Sequence, residues 1–299
     1  MDILSLAQKL KQEHEQWIIH NVLQHKTLIM LFQKPSTRTR ISFATAMHQL
    51  GWHTIDIDYK QSNFSLTDFS YEIQAAMQLG DMLMFRANNA CDVLEAASYN
   101  SIPIIDWCSE KYHPCQALGD MLTMIESVWS LENLHHIAWL WIENNVCNSL
   151  KILCTKLWIQ LSLLCPEQHQ SSIDVELDTI CDKAWYINRT LNKSVGLQHA
   201  QFIHTDTWMD MEFFTNWEVL EAYKDQYNDR IQAFSPYQVS KSLIESYAPN
   251  AKVMHCLPAH IGYEITQDAI DHPNSIIFTQ TANRLHIQKA ILLWLWQHK

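Results

Sequence analysis

Glycine is scarce: there are five in 299 residues, against about 7% in an average chain. Left-handed turns, which glycine normally supplies, must then be built from Asn, Asp or longer loops. Cysteine pairing is missing too. The eight cysteines, at 91, 108, 115, 147, 154, 165, 181 and 256, include no CxxC and no dense cluster, so a disulfide framework is excluded and most should be reduced, buried small hydrophobes. Basic residues are outnumbered, 21 Lys and Arg against 32 Asp and Glu, for a formal charge of −11. Such a surface repels nucleic acid and anionic membrane. Apolar runs such as IAWLWI and AILLWLW fall short of the roughly 20 residues a bilayer requires. The opening MDILSLAQKLKQEHEQW is an amphipathic helix pattern without the parts of a signal peptide. A cytoplasmic chain with no nucleic-acid and no membrane partner is expected. The 16 histidines show no HExxH spacing, so neither a metal nor an organic cofactor is expected.

Present instead is a regular alternation of short apolar runs with helix-length segments. LIMLF (28–32), HTIDID (53–58), DMLMFR (81–86) and IPIID (102–106) read as strands, and a second series follows in IAWLWI (137–142), IQLSLLC (159–165), QFIHTD (201–206) and KVMHCLP (252–258). This predicts an α/β chain of two doubly wound parallel-sheet domains joined by interdomain helices. The boundaries fall at 1–125 and 126–280, with the terminal helix, 281–299, assigned to the first domain. HPCQALGDMLTMIESVW (113–129) has Pro near its first turn and apolar positions at Leu118, Met121, Leu122 and Ile125, which suits a connecting helix.

In parallel sheets, ligands sit beyond the carboxyl ends of the strands, and the polar clusters follow those ends. PSTRTR follows LIMLF and starts a helix whose apolar face is Phe43, Ala46, Met47 and Leu50, closed by Gly51. Ser36, Thr37 and Thr39 can donate to an anion at this helix start, and Arg38 can clamp it. Capping alone needs fewer than three hydroxyls and two guanidiniums. Arg86 ends its strand as a second clamp. HPCQ puts His113 and Gln116 in one helical turn, where a histidine near a helix N-terminus prefers to be neutral. HCLPAH carries Cys256 and Leu257 before Pro258, which favours an extended, exposed backbone there. A nucleophilic Cys–His pair is disfavoured because no oxyanion motif or orienting Asn accompanies it.

Taken in order, KPSTRTRISF, LMFRANN, YHPCQALGDML, ENNVCNSLKI, HTDTWMDM, SPYQV, MHCLPAHIGYEI and ANRLHIQKAIL resemble the aspartate/ornithine carbamoyltransferase family over nearly the whole chain, with HCLP favouring its ornithine branch. The resemblance implies transfer of the carbamoyl group of carbamoyl phosphate to the δ-amine of L-ornithine, giving citrulline and phosphate within arginine metabolism. It implies that Ser36, Thr37, Arg38, Thr39 and Arg86 hold the phosphate, while His113, Gln116, Cys256, Leu257 and Arg284 address the carbamoyl group. Arg38, Arg86, His113 and Cys256 are the implied catalytic set. Asn145, Asp206 and Met211 match positions that hold the amino acid, and Asp210 stands beside them. A homotrimer is implied, its sites completed by a neighbour's loop near Ser65 to Asp68.

Several positions depart from the family pattern. Trp141, Ile142 and Glu143 replace a glycine-rich turn before Asn144 and Asn145. Asp210 and Glu212 add carboxylates where the α-carboxylate of ornithine would lie, at roughly 1 kcal/mol of repulsion or more. Ile261 stands where arginine is frequent, and Phe64 where the loop usually has an acid. Another amine, such as putrescine or an N-acylated ornithine, and a carbamoyl-phosphate-binding chain without turnover therefore stay open.

Overall fold

The computed structural model describes residues 2–208, 214–215 and 218–298. The chain forms two compact units, Met1–Thr123 with Ala282–Lys299, and Met124–Thr281. It passes from one to the other within two helices, Pro114–Ser127 and Ile277–Gln297. Each unit is built on one parallel sheet.

In the first unit, β1 (Thr27–Phe32), β2 (His53–Asp58), β3 (Met82–Arg86) and β4 (Ile104–Asp106) lie in the order β2-β1-β3-β4. The unbroken apolar run of β1 suits a central strand covered on both faces, and it is buried from Leu28 to Phe32. The alternating HTIDID of β2 suits the partly exposed edge it occupies. On one face, Ile29, Leu31, Leu83 and Phe85 pack with Ile73, Met77, Val93 and Ala96. The last two pairs come from the helices Phe69–Met77 and Ala90–Ser98. The helix Thr37–Gln49 buries Phe43, Ala46 and Met47, and Gly51 follows its end at φ 84°. Phe64, which stands where the loop usually has an acid, is buried in this core against Tyr59 and Phe69. Its ring has no polar atom to offer a ligand, and its burial ties the loop to its own unit.

In the second unit, β5 (His136–Leu140), β6 (Gln160–Leu164), β7 (Ile187–Arg189), β8 (Phe202–Thr205) and β11 (Lys252–His255) form a sheet ordered β11-β8-β5-β6-β7. A separate antiparallel hairpin pairs β9 (Phe214–Thr215) with β10 (Glu218–Val219). The sequence pattern reaches β5, β6, β8 and β11 but not β7, whose three residues, INR, carry no apolar period. The run IAWLWI overshoots β5. Trp141 and Ile142 are buried outside the strand, with Trp141 stacked on Trp208 at 5.9 Å and tilted against Phe234 at 4.9 Å. Composition reports burial here, and the backbone has already turned.

The glycine shortage is resolved in an unexpected way. Positive φ falls on Asn100 as expected, but also on Trp17, His25, Trp129, Trp158, His199 and Leu257. Trp17, Trp129 and Trp158 follow the helices Asp2–Glu15, Pro114–Ser127 and Asn145–Leu157, where a left-handed residue ends the helix. Side chains project into solvent at these ends, with Trp17 and Trp129 each 90% exposed. Bulk is thus tolerated, and only the left-handed backbone costs about 1 kcal/mol per position.

Candidate active site

Both sheets have a point where strand order reverses, and such points open a crevice at the strands' carboxyl ends. In the first unit it lies between β1 and β3, where Phe32 is in register with Arg86. In the second it lies between β5 and β8, where Trp139 is in register with His204. The clusters PSTRTR, Arg86, Asn144–Asn145 and Asp206 lie at or beyond these four ends, while those of His113 and Cys256 follow β4 and β11.

Ser36 occupies the N-cap of Thr37–Gln49 in extended conformation (φ −160°) without capping through its side chain. Its hydroxyl donates instead to Thr39 Oγ1 at 2.5 Å. Thr39 is buried, and Arg284 Nη2 donates to the same oxygen at 3.3 Å. The two guanidiniums of the turn part company. Arg40 pairs with Asp56 of β2 at 3.2 Å and lies 4.4 Å over the Phe32 ring, so it belongs to the sheet edge. Arg38 acts instead on His113, whose pKa its charge lowers. Arg86 Nε is buried and finds no hydrogen-bond acceptor among the described residues.

His113 directly precedes the helix Pro114–Ser127 and is buried. Its pKa is held well below 6.5, first by burial, then by Arg284, Arg86 and Arg38, with only a backbone hydrogen bond at Trp107 opposing them. Three guanidinium charges thus act on one neutral imidazole, a field suited to a multiply charged anion beside an uncharged donor. Gln116 is also buried, and its amide Nε2 donates to Asp120 Oδ1 at 2.8 Å.

In the second unit, Asn144 is the N-cap of Asn145–Leu157 and accepts from the N–H groups of Val146 and Cys147. Its Nδ2 donates to Asp206 Oδ2 at 2.9 Å, while Thr207 N–H donates to Asp206 Oδ1 at 2.8 Å. The turn after β5 and the turn after β8 are thereby joined at the reversal point. Asn145 starts the helix, and its carbonyl accepts from Ser149. Glu143, substituted into the expected glycine turn, points inward: it accepts from Lys151 Nζ at 3.0 Å and from Arg189 Nε at 2.7 Å. Its charge is therefore compensated. Asp210, Met211 and Glu212 lie outside the described residues.

Asp206, His255 and Cys256 bring ligand-type atoms within 4.8 Å of one another. His255 is nevertheless committed, because Nδ1 accepts from Leu257 N–H at 2.8 Å and Nε2 faces Glu264 Oε1 at 3.2 Å. That imidazole has no lone pair left, and two donors do not make a metal site. The backbone expected to be extended before Pro258 is instead left-handed at Leu257, φ 58°, with a cis Leu257–Pro258 bond, and Cys256 is buried. The Leu257 N–H bond to its neighbour's imidazole holds this tight turn. Ile261 is about half exposed.

Two profiles of one family match the chain: "Aspartate/ornithine carbamoyltransferase, carbamoyl-P binding domain" over residues 1–126 and its "Asp/Orn binding domain" over 134–295. The chain belongs to the aspartate/ornithine carbamoyltransferase family. Among its relatives, the ornithine carbamoyltransferase of Methanospirillum hungatei is 34% identical over 293 residues, covering 98% of this chain and 93% of that protein. The Archaeoglobus fulgidus ornithine carbamoyltransferase is 33% identical, covering 98% and 92%. Among solved structures, ornithine carbamoyltransferase from Pyrococcus furiosus superposes with a TM-score of 0.86 at 32% identity, over 97% of this chain and 91% of that one.

Proposed function

We propose that the protein transfers the carbamoyl group of carbamoyl phosphate to the δ-amine of L-ornithine, giving L-citrulline and phosphate. The observation that carries this reading is the hydrogen bond of Arg284 to the buried Thr39 of the anion turn, with Arg284, Arg86 and Arg38 all helping to keep His113 neutral. In this reading the first unit holds carbamoyl phosphate: Ser36, Thr37, Arg38, Thr39 and Arg86 bind the phosphate, and His113, Gln116 and Arg284 address the carbamoyl group. The second unit holds ornithine through Asn145, Asp206, Asp210 and Met211, with Cys256 and the Leu257 backbone near the reacting end. The uncharged amine attacks the carbamoyl carbon, a C–N bond forms, the C–O bond to phosphorus breaks, and the amine's proton leaves with the phosphate. Charge grows on the carbonyl oxygen and on the leaving oxygen, and fixed cationic and neutral donors stabilise both. His113 donates without carrying charge, so Arg38 and Arg86 stay available to the phosphate and Arg284 to the carbamoyl group.

The assembly in this reading is a cytoplasmic homotrimer with a role in arginine metabolism. Light scattering after gel filtration tests the trimer, and a monomeric mass refutes it.

The deciding assay offers L-ornithine, N-acetylornithine, putrescine and aspartate in parallel with saturating carbamoyl phosphate and measures the carbamoylated product. Turnover confined to ornithine is expected. Faster turnover of putrescine or N-acetylornithine would reassign the acceptor. Silence on all four, with a thermal shift by carbamoyl phosphate retained, would leave a binding protein only.

A further inference from the structure

Trp107 belongs to none of the clusters that the sequence singles out, yet it touches several of them. It follows β4, and its N–H donates to the Phe85 carbonyl at 3.0 Å, immediately before Arg86. Its ring is fully buried. The Arg284 guanidinium lies 5.0 Å from the ring centroid, the His113 ring 5.1 Å away at 71°, and the Phe43 ring 4.9 Å away at 79°. One indole therefore contacts the helix of the anion turn through Phe43, the terminal helix through Arg284, and the start of Pro114–Ser127 through His113. Its Nε1–H is buried without an acceptor among the described residues.

We propose that Trp107 is a positioning residue of the transfer reaction, holding the Arg284 guanidinium and the His113 imidazole in fixed relation so that both address the carbamoyl group. The proposal rests on the carbamoyl-transfer reading. A desolvated cation over an indole face is held in place more firmly than one in water. The same ring keeps water from His113, and burial is the leading cause of that imidazole's neutrality. The charged groups that act on His113 are Arg284 of the terminal helix, Arg86 at the end of β3 and Arg38 of Thr37–Gln49.

The test compares the full-length protein with Trp107→Phe, Trp107→Leu and, as a packing control, Phe43→Leu. Two quantities are read: carbamoyl phosphate affinity by calorimetry, and titration of the His113 imidazole by nitrogen-15 NMR. Trp107→Leu should weaken carbamoyl phosphate binding by about tenfold or more, the phenyl variant by less, and the control by about threefold at most. His113 should stay neutral through mildly acidic pH in the parent and control, and titrate nearer the ordinary histidine value of about 6.5 in Trp107→Leu. Parent-like behaviour of Trp107→Leu in both readouts would overturn the proposal, as would equal effects from Phe43→Leu. Should Trp107→Leu fail to fold, the phenyl variant against the control decides by the same criteria. A parent that binds no carbamoyl phosphate sinks the carbamoyl-transfer reading instead, and the NMR titration still decides whether Trp107 holds His113.

Discussion

Replacing Glu143 by glutamine removes one negative charge from a network in which Lys151 has no solvent exposure. Glu143 accepts bonds from Lys151 Nζ at 3.0 Å, Arg189 Nε at 2.7 Å and Arg189 Nη2 at 3.1 Å. At roughly 1.5–3 kcal/mol for each charge-assisted bond, the gross loss is roughly 5–9 kcal/mol. Several contacts survive. Glutamine keeps one carbonyl acceptor, and Asp178 Oδ1 still accepts from Lys151 and Arg189, each at 2.8 Å. Burial raises the pKa of Asp178, but its bonds and charges, led by Lys151, outweigh that and hold the carboxyl ionised. Arg189 is about one-third exposed and recovers some hydration. The net cost should be about 3–5 kcal/mol, the range for breaking a buried ion pair from one side. Urea unfolding at pH 7.5 measures it. Adding Lys151→Met removes a buried cation left with Asp178 as its one anionic partner among the described residues, so the double variant should regain about 2 kcal/mol or more relative to Glu143→Gln alone. A loss below about 1 kcal/mol for the single variant, or no recovery in the double, would refute a stabilising role for this network.

Arg38→Ala should lower kcat/KM for carbamoyl phosphate by about 100- to 1,000-fold, and Arg40→Ala by far less, because Arg40 serves Asp56; equal losses would overturn the division between the two guanidiniums. Burial, then the Glu110 charge, raises the Asp106 pKa to about 6, against a hydrogen bond from Ser109. The folded state thus binds this proton more tightly than the unfolded chain, so stability increases as pH falls from about 6 to about 4 and is lost as pH rises through 6. Asp106→Asn should flatten that slope and raise stability at pH 7.5 by about 1–3 kcal/mol, and an unchanged pH dependence of denaturation would contradict it. Trp17→Gly and Trp129→Gly should each raise stability by roughly 0.5–1 kcal/mol, because the indoles are exposed and the backbone is left-handed; thermal unfolding that moves down in both would show that the exposed rings contribute.

Sequence alone determined the fold class, because strand-length apolar runs separated by helical periods admit few arrangements other than parallel sheets with helical crossovers. It pointed to an anion turn too, since hydroxyls and guanidiniums crowded behind a strand exceed what capping uses. It also marked Arg86, His113, Asp206 and Cys256, each at or just beyond a strand or helix end where ligands collect. Chain order could not reveal which charges were already spent. Arg40 looks like a site charge in one dimension and Glu143 like the loss of a glycine turn, and both are paired internally in three. Phe64 reads as a loop residue and is core, and β7 has no periodic signal because only three residues pair. The neutrality of His113 comes first from burial, with the Trp107 ring 5.1 Å away, and then from the charge of Arg284, 171 positions along the chain. Local pattern encodes which backbone a segment prefers. Desolvation and charge pairing depend on neighbours that only the tertiary fold brings within a few ångströms.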